Sequence, residues 1–160
     1  MKRKGLLSLM LCLLLAGVNA QSGFTFGVGV NAALPTGVIS NASSFVIGAE
    51  AQGEFGFNDQ VSGIVTAGYA HFLEKNNSGL NFGAVPLLAG ARYNATENFF
   101  VGAQVGYGFF TGNANGGGFA YKPQVGFKTG SVQITGSYNA ISNNGTIGWA
   151  GVSAVFTFGK

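Results

Sequence analysis

Phe99-Phe100-Val101-Gly102-Ala103-Gln104-Val105-Gly106-Tyr107-Gly108-Phe109-Phe110 alternates in character at almost every step. Val101, Ala103, Val105, Tyr107 and Phe109 fall on one side of an extended chain, and Gly102, Gln104, Gly106 and Gly108 on the other. A repeat of two is the repeat of a β-strand, whose successive side chains point to opposite faces. One face here is apolar and ends in aromatics. The other is small and polar.

The same pattern recurs in seven other segments, which makes eight strands. In the first, Phe24, Phe26, Val28 and Val30 alternate with Thr25, Gly27, Gly29 and Asn31. In the second, Phe45, Ile47, Ala49, Ala51, Phe55 and Phe57 alternate with Val46, Gly48, Glu50, Gln52, Glu54 and Gly56. Val65, Ala67 and Tyr69 mark the third; Val85, Leu87, Ala89, Ala91 and Tyr93 the fourth. The sixth sets Phe119, Tyr121, Pro123, Val125 and Phe127 against Ala120, Lys122, Gln124, Gly126 and Lys128. Val132, Ile134 and Tyr138 carry the seventh, and Val152, Ala154, Phe156 and Phe158 the eighth. No stretch sustains a 3.6-residue repeat, so the chain reads as all-β.

The connections alternate in length. Ala32–Ser44, Leu73–Gly79, Thr111–Gly118 and Asn139–Gly145 are long and rich in Asn, Ser, Gly or Thr. Asp59-Gln60, Asn94–Asn98 and Thr129-Gly130-Ser131 are short. Such asymmetry is that of an antiparallel transmembrane β-barrel, with long loops outside and tight turns in the periplasm. An even strand number then puts both termini on the periplasmic side.

Composition supports a membrane-spanning barrel. Of 160 residues, 47% are hydrophobic, only 8% are charged and 28 are glycine, against about 25% charged in a typical soluble domain. Residues 1–20 read as a cleavable signal peptide. Lys2, Arg3 and Lys4 precede an apolar run from Gly5 to Val18, and Val18-Asn19-Ala20 sets the cut before Gln21. The run is short of the roughly 20 residues of a helical span, which argues against an uncleaved anchor. Cys12, the only cysteine, lies inside the run rather than at a lipoprotein cut site. The domains are thus 1–20, signal peptide, and 21–160, barrel. The net charge of +3 belongs to the leader: after it, five basic residues meet five acidic ones, so nucleic-acid binding has no electrostatic support.

Aromatics gather at strand ends. Phe24, Phe57, Tyr93, Phe99, Phe127 and Phe158 fall near the periplasmic end, and Tyr69, Tyr107, Phe109, Phe119, Tyr121 and Tyr138 near the outer end. Two girdles around an aliphatic band suit rings that prefer the membrane interface. Pro86 and Pro123 sit mid-strand, and each predicts a bulge or a locally open ladder.

With these features in place the chain resembles the small eight-stranded outer-membrane proteins of the OmpA/OmpX-like barrel family. Val85-Pro86-Leu87-Leu88-Ala89-Gly90-Ala91-Arg92-Tyr93, a polar turn, and Phe99-Phe100-Val101-Gly102 look like the central hairpin of such barrels in Bacteroidetes-type bacteria. The resemblance implies a setting of outer-membrane lipid and lipopolysaccharide in a Gram-negative-type cell. It also implies insertion by the barrel-assembly machinery, which recognises the aromatic residue that usually ends such chains; this chain departs from that pattern, because Gly159 and Lys160 follow Phe158.

Motifs that imitate chemistry lack their context. Gly27-Val28-Gly29-Val30-Asn31-Ala32 fits a dinucleotide fingerprint but opens no helix. Sequons at Asn41, Asn76, Asn94 and Asn144 fall in Asn-rich connections. His71 is the only histidine, with Glu74, Ser62 and Ser78 as conceivable partners for a lipid-modifying enzyme, yet no nucleophile–base spacing is present. A secreted lipocalin-like barrel would place its aromatics inside and its charges outside, the reverse of this pattern. No cofactor, metal or catalytic residue is expected.

The function implied is structural or interactional: a membrane anchor that presents four loops, with a small-solute pore as the alternative and a lipid-modifying enzyme behind it. The charges assigned to strand bodies, Glu50, Glu54, Arg92, Lys122 and Lys128, all point inward. An eight-stranded barrel is just wide enough for side chains to fill. Counting from strand ends sets Glu54 against Arg92 and Glu50 against Lys122, in a filled polar lumen.

Overall fold

The computed structural model describes residues 23–75, 79, 82–112, 114 and 116–159. The expected leader and Ser78 lie outside these residues. Eight strands follow one another: β1 (Phe24–Thr36), β2 (Ser43–Gly56), β3 (Val61–Glu74), β4 (Phe82–Asn94), β5 (Phe99–Gly112), β6 (Gly117–Thr129), β7 (Val132–Ser142) and β8 (Thr146–Phe158). Each pairs antiparallel with its neighbours in sequence, and β1 pairs with β8 from Phe26↔Phe158 to Thr36↔Gly148, so the sheet closes into a barrel.

Parity along each strand decides what faces where. Val28, Val30, Val65, Leu87, Val105, Val125 and Val152 project from the wall and are exposed, while Gln52, Thr66, Gln104, Gln124, Gln133 and Ser153 point into the lumen and are buried. The polar side of the alternation is therefore the inside, and the apolar side is the outside.

The strands are longer than composition suggests at the end remote from the termini. β1 runs on through Ala32–Thr36 and β7 through Asn139–Ser142, both of which read as loop in the sequence. Pairing explains the difference: Leu34 to Thr36 continue the ladder with β8, and Asn139 to Ser142 pair with Trp149 to Thr146. The connectors that remain at this end are residues 37–42, 75–81, 113–116 and 143–145, against 57–60, 95–98 and 130–131 at the end that carries the termini. The length asymmetry survives but is smaller than expected. A 3-10 turn, Gly37–Asn41, fills the first connector.

The tight turns have local causes. In β2–β3 the Asn58 carboxamide oxygen accepts the backbone N–H of Gln60 at 2.9 Å and of Val61 at 2.7 Å. Thr96 does the same for Phe99 at 3.0 Å. Gly130, at φ +54°, occupies the first central position of the two-residue β6–β7 turn, as a type II′ hairpin requires.

Neither mid-strand proline shifts the register. Pro86 pairs with Gly108 on β5, but the β3–β4 ladder skips from Ala67↔Leu87 to Ala70↔Ala84. Pro123 pairs with Ala103 on β5, and the β6–β7 ladder skips from Tyr121↔Ala140 to Gln124↔Ser137. Both are locally open ladders, the second of the two alternatives, and no bulge forms at either.

The many glycines have two uses. On the outside, aromatic rings lie over glycines of the next strand: Phe24 over Gly53, Phe57 over Gly63 and Tyr69 over Gly83. Such rings cover backbone that a side chain would otherwise protect. On the inside, a side chain at Gly90 or Gly106 would run into the carbonyl of Ala103 or Leu87, so the β4–β5 seam is drawn too close for any Cβ. We expect Gly106→Ala to destabilise the barrel by about 1–3 kcal/mol through overpacking against backbone. Gly63→Ala, whose new methyl would meet the Phe57 ring edge at 3.0 Å and backbone no nearer than the Phe55 carbonyl oxygen at 3.9 Å, should cost less. Reversible urea unfolding of the two variants in lipid vesicles checks the order.

Candidate functional site: the barrel lumen

The structure brings all five lumen charges into two clusters. Arg92, from β4, is the hub of the first. Its Nη1 donates to Glu54 Oε2 at 2.8 Å and to Gln133 Oε1 at 2.9 Å, and its Nη2 donates to Gln52 Oε1 at 3.2 Å. Lys128 Nζ donates to the other Glu54 oxygen at 2.7 Å, as does the Ser62 hydroxyl at 2.7 Å. Beneath the guanidinium lies the Phe100 ring, 4.3 Å from Arg92 Cζ to the centroid, with Lys128 Nζ at 5.2 Å. A cation over an aromatic face gains from the ring quadrupole, more so when desolvated. The second cluster is one pair, Lys122 Nζ to Glu50 Oε2 at 2.6 Å, nearer mid-barrel.

Six strands, β2 to β7, contribute inward side chains to the first cluster, so it exists only when the barrel is closed. Glu54 faces two cations, Arg92 and Lys128, at once. Lys128 is the more exposed of them, with 24% of its side chain accessible at the end that carries the termini. The Glu54–Lys128 contact and the Phe100 platform were not read from the sequence. Phe100 is inward by the parity of Gly102 and Gln104, which is the signal that could have found it.

The expectation of a polar lumen throughout needs correction. Its half remote from the termini is apolar. Val46, Ala70, Phe72, Phe82, Ala84, Ala120, Ile141 and Trp149 are buried together with Leu88 at their base, and Ile39, Phe110 and Ile147 pack against them. Phe72 stacks on Phe82 with centroids 4.4 Å apart and meets Trp149 edge-on at 5.3 Å. The physical reason is parity: at this end the inward positions of β2, β3, β4, β6 and β8 carry Val46, Phe72, Phe82, Ala120 and Trp149, and the extension of β7 adds Ile141, so large apolar side chains are removed from water inside the barrel.

The residues assigned to the girdles all lie on the outer face. Phe24, Phe57, Tyr93, Phe99, Phe127 and Phe158 are exposed at the end that carries the termini; Tyr69, Tyr107, Phe109 and Phe119 are exposed towards the other end, and Tyr121 and Tyr138 are half-buried there. His71 is also on this face. Its Nδ1 lies 3.5 Å from the Tyr69 hydroxyl, with the two rings stacked. Ser62 is inside, bonded to Glu54 at the opposite end, so the barrel wall separates it from His71 and the two form no nucleophile–base pair. Glu74 instead accepts the Gly79 N–H at 2.6 Å. Among the described residues, no cluster of His, Cys, Asp or Glu could hold a metal ion, and no helix is long and apolar enough to cross a membrane.

Comparison with solved structures places this geometry among small outer-membrane barrels. The attachment invasion locus protein Ail of Yersinia pestis is similar over 86% of this chain and 100% of its own, with a TM-score of 0.63 at 15% identity. Neisserial surface protein A matches over 86% of this chain and 98% of its own, with a TM-score of 0.58 at 17% identity. The N-terminal barrel domain of Pseudomonas aeruginosa OprF matches over 86% and 98%, with a TM-score of 0.51 at 12% identity. No family model and no curated protein sequence matches the chain. At these identities the shared property is the fold: a closed eight-stranded antiparallel barrel of the outer-membrane type.

The double load on Glu54 generates an order of effects. Glu54→Gln leaves Arg92 and Lys128 facing each other without a counter-charge, and should cost about 3–5 kcal/mol, as removal of one partner from a buried pair does. Lys128→Gln leaves a one-to-one pair and removes a partly exposed group, so it should cost much less. Unfolding of both variants in lipid vesicles measures the difference; equal costs would mean that lumen water, not Glu54, balances the two cations.

Proposed function

We propose that the chain is an integral outer-membrane barrel that serves as an anchor and a surface-contact element, and not as an enzyme or an open pore. One observation carries the membrane reading. The outer wall exposes large apolar side chains on every strand, and no Asp, Glu, Lys or Arg lies among the outward strand positions of the described residues. Monomeric soluble proteins rarely expose contiguous apolar patches beyond a few hundred Å². Lipid is the solvent such a wall fits, and the flanking aromatics suit its interfaces.

In this reading residues 1–20 are the cleaved leader, both termini face the periplasm, and the four connectors at the apolar end of the lumen face the exterior. Outer-membrane lipid and lipopolysaccharide surround the wall, and the barrel-assembly machinery inserts it. Two structurally similar proteins, the attachment invasion locus protein Ail and Neisserial surface protein A, support surface contact, in the words of their names, as the kind of role. The packed lumen argues against the small-solute pore. The separation of His71 from Ser62 argues against lipid-modifying hydrolysis or acyl transfer. The kinship to Bacteroidetes-type barrels rests on the hairpin around residues 85–102 alone.

Two measurements test the proposal. Cysteines at Val38, 83% exposed in the first connector, and at Asn144 should react with an impermeant maleimide on intact cells, while cysteines at Asp59 and Thr96 should react only after the outer membrane is permeabilised. The reverse pattern would invert the orientation, and equal labelling would remove the membrane. Independently, Val105→Arg, at the middle of β5 on the outer face, should destabilise the barrel in lipid by about 2–4 kcal/mol, and Thr129→Arg, at the rim, by about 0–1 kcal/mol, the depth dependence of a cation on a lipid-facing wall. Gln124→Arg is no neutral control, because Gln124 Oε1 already accepts from Arg92 at 3.4 Å and a second guanidinium would meet the first.

A further inference from the structure

The two layers of the lumen resist an ion in different ways. In the polar layer an ion meets Glu54, Arg92, Lys128, Glu50 and Lys122, groups that can rotate and replace part of its hydration. This layer also has polar room to spare. Asn31, Thr66 and Ser153 bury side-chain oxygens that have no protein partner, and with Glu50 and Lys122 they line a cavity of about 20 Å³, room for about one water molecule. Trp149 and Leu88 also line that cavity, and with them the chemistry changes. Beyond lies the apolar layer of Phe72, Phe82, Ile141 and Val46, where no side chain can replace a lost hydration shell. Gly108 shows how tightly this layer is filled, since a methyl group there would run into Ile141.

We infer that the apolar layer, rather than the ion-pair layer, is the seal of this barrel, and that thinning it produces an anion-preferring pore. An apolar constriction blocks ions by excluding water. A polar one of the same width does so less well, because its hydrogen-bonding groups hold water in place. Selectivity follows from the charges left behind: Arg92, Lys122 and Lys128 against Glu50 and Glu54 give the lumen one excess positive charge. The inference rests on the membrane reading proposed above.

Planar-bilayer recording of the purified, folded protein in KCl tests it, with heat-modifiable gel mobility identifying folded barrels. The unaltered protein and Glu54→Gln should remain closed. Phe72→Ala combined with Trp149→Ala should show discrete conductance steps, with a reversal potential in a KCl gradient that favours Cl⁻ over K⁺. If that variant does not fold, Phe82→Ala combined with Ile141→Ala thins the same layer and should also conduct. Folded, thinned barrels that stay closed would overturn the inference, as would conductance from Glu54→Gln alone; a preference for K⁺ would overturn its electrostatic half. Conductance from the unaltered protein would instead overturn the closed-barrel reading on which the inference depends.

Discussion

Closure of the sheet between β1 and β8 is the constraint from which the rest of this structure follows. An open sheet would leave a row of unpaired N–H and C=O groups along each edge, and an apolar outer wall offers them no partner. Once Phe26 pairs with Phe158 and the ladder continues to Thr36↔Gly148, the edges disappear. The outer surface is then decided by side-chain parity alone. Closure also fixes the bore, because the diameter of a barrel follows its strand number. Everything inside must fit one volume, which is why inward glycines such as Gly90 and Gly106 accompany inward residues as large as Phe100, Phe72 and Trp149.

Within that fixed bore the chain has solved two packing problems differently. Near the termini it fills the space with hydrogen-bonded charge: Glu54 holds two cations, and Arg92 reaches three glutamines through its remaining donors. Such a cluster tolerates burial because each charge meets an opposite one and further hydrogen bonds, although Arg92 Nε and Gln124 Nε2 are buried without a protein partner. At the other end it fills the space with rings and branched aliphatics, which need no partners at all. The boundary falls at the level of Glu50, Lys122 and Leu88, where buried polar oxygens and apolar carbons line one small cavity.

Much of this was legible because parity is unforgiving. A slip of one residue would turn every side chain of a strand to the wrong face, so alternation such as that of Val101 to Phe109 admits one reading. Strand ends were less legible. Ala32–Thr36 and Asn139–Ser142 have the composition of loops, and it is their partners on β8, with β2 and β6 on the other side, that keep them extended. The apolar half of the lumen is hidden in the sequence for a related reason: Ile141 belongs to a segment of loop composition, and Phe72 turns inward only when the outward parity of Val65, Ala67 and Tyr69 is extended to the end of its strand. Which inward groups meet across the bore depends on the stagger between strands, a property of the closed sheet that no single strand records. The approach of Lys128 to Glu54 from β6 is of that kind.

The two prolines divide the wall in a way that bears on its mechanics. Both keep their ladder to β5 and both break the ladder on the far side, opposite Gly68 on β3 and opposite Tyr138 on β7. β4, β5 and β6 therefore form a panel of three fully laddered staves, joined to the other five strands along two seams that each lack rungs at mid-height. Bending stiffness in a sheet comes from its cross-strand hydrogen bonds, so the cross-section yields first along these seams. Under lateral pressure the wall bends most sharply along these two seams, while the Arg92 cluster, tied across from β4 to β2, β6 and β7, acts as an internal brace against that bending.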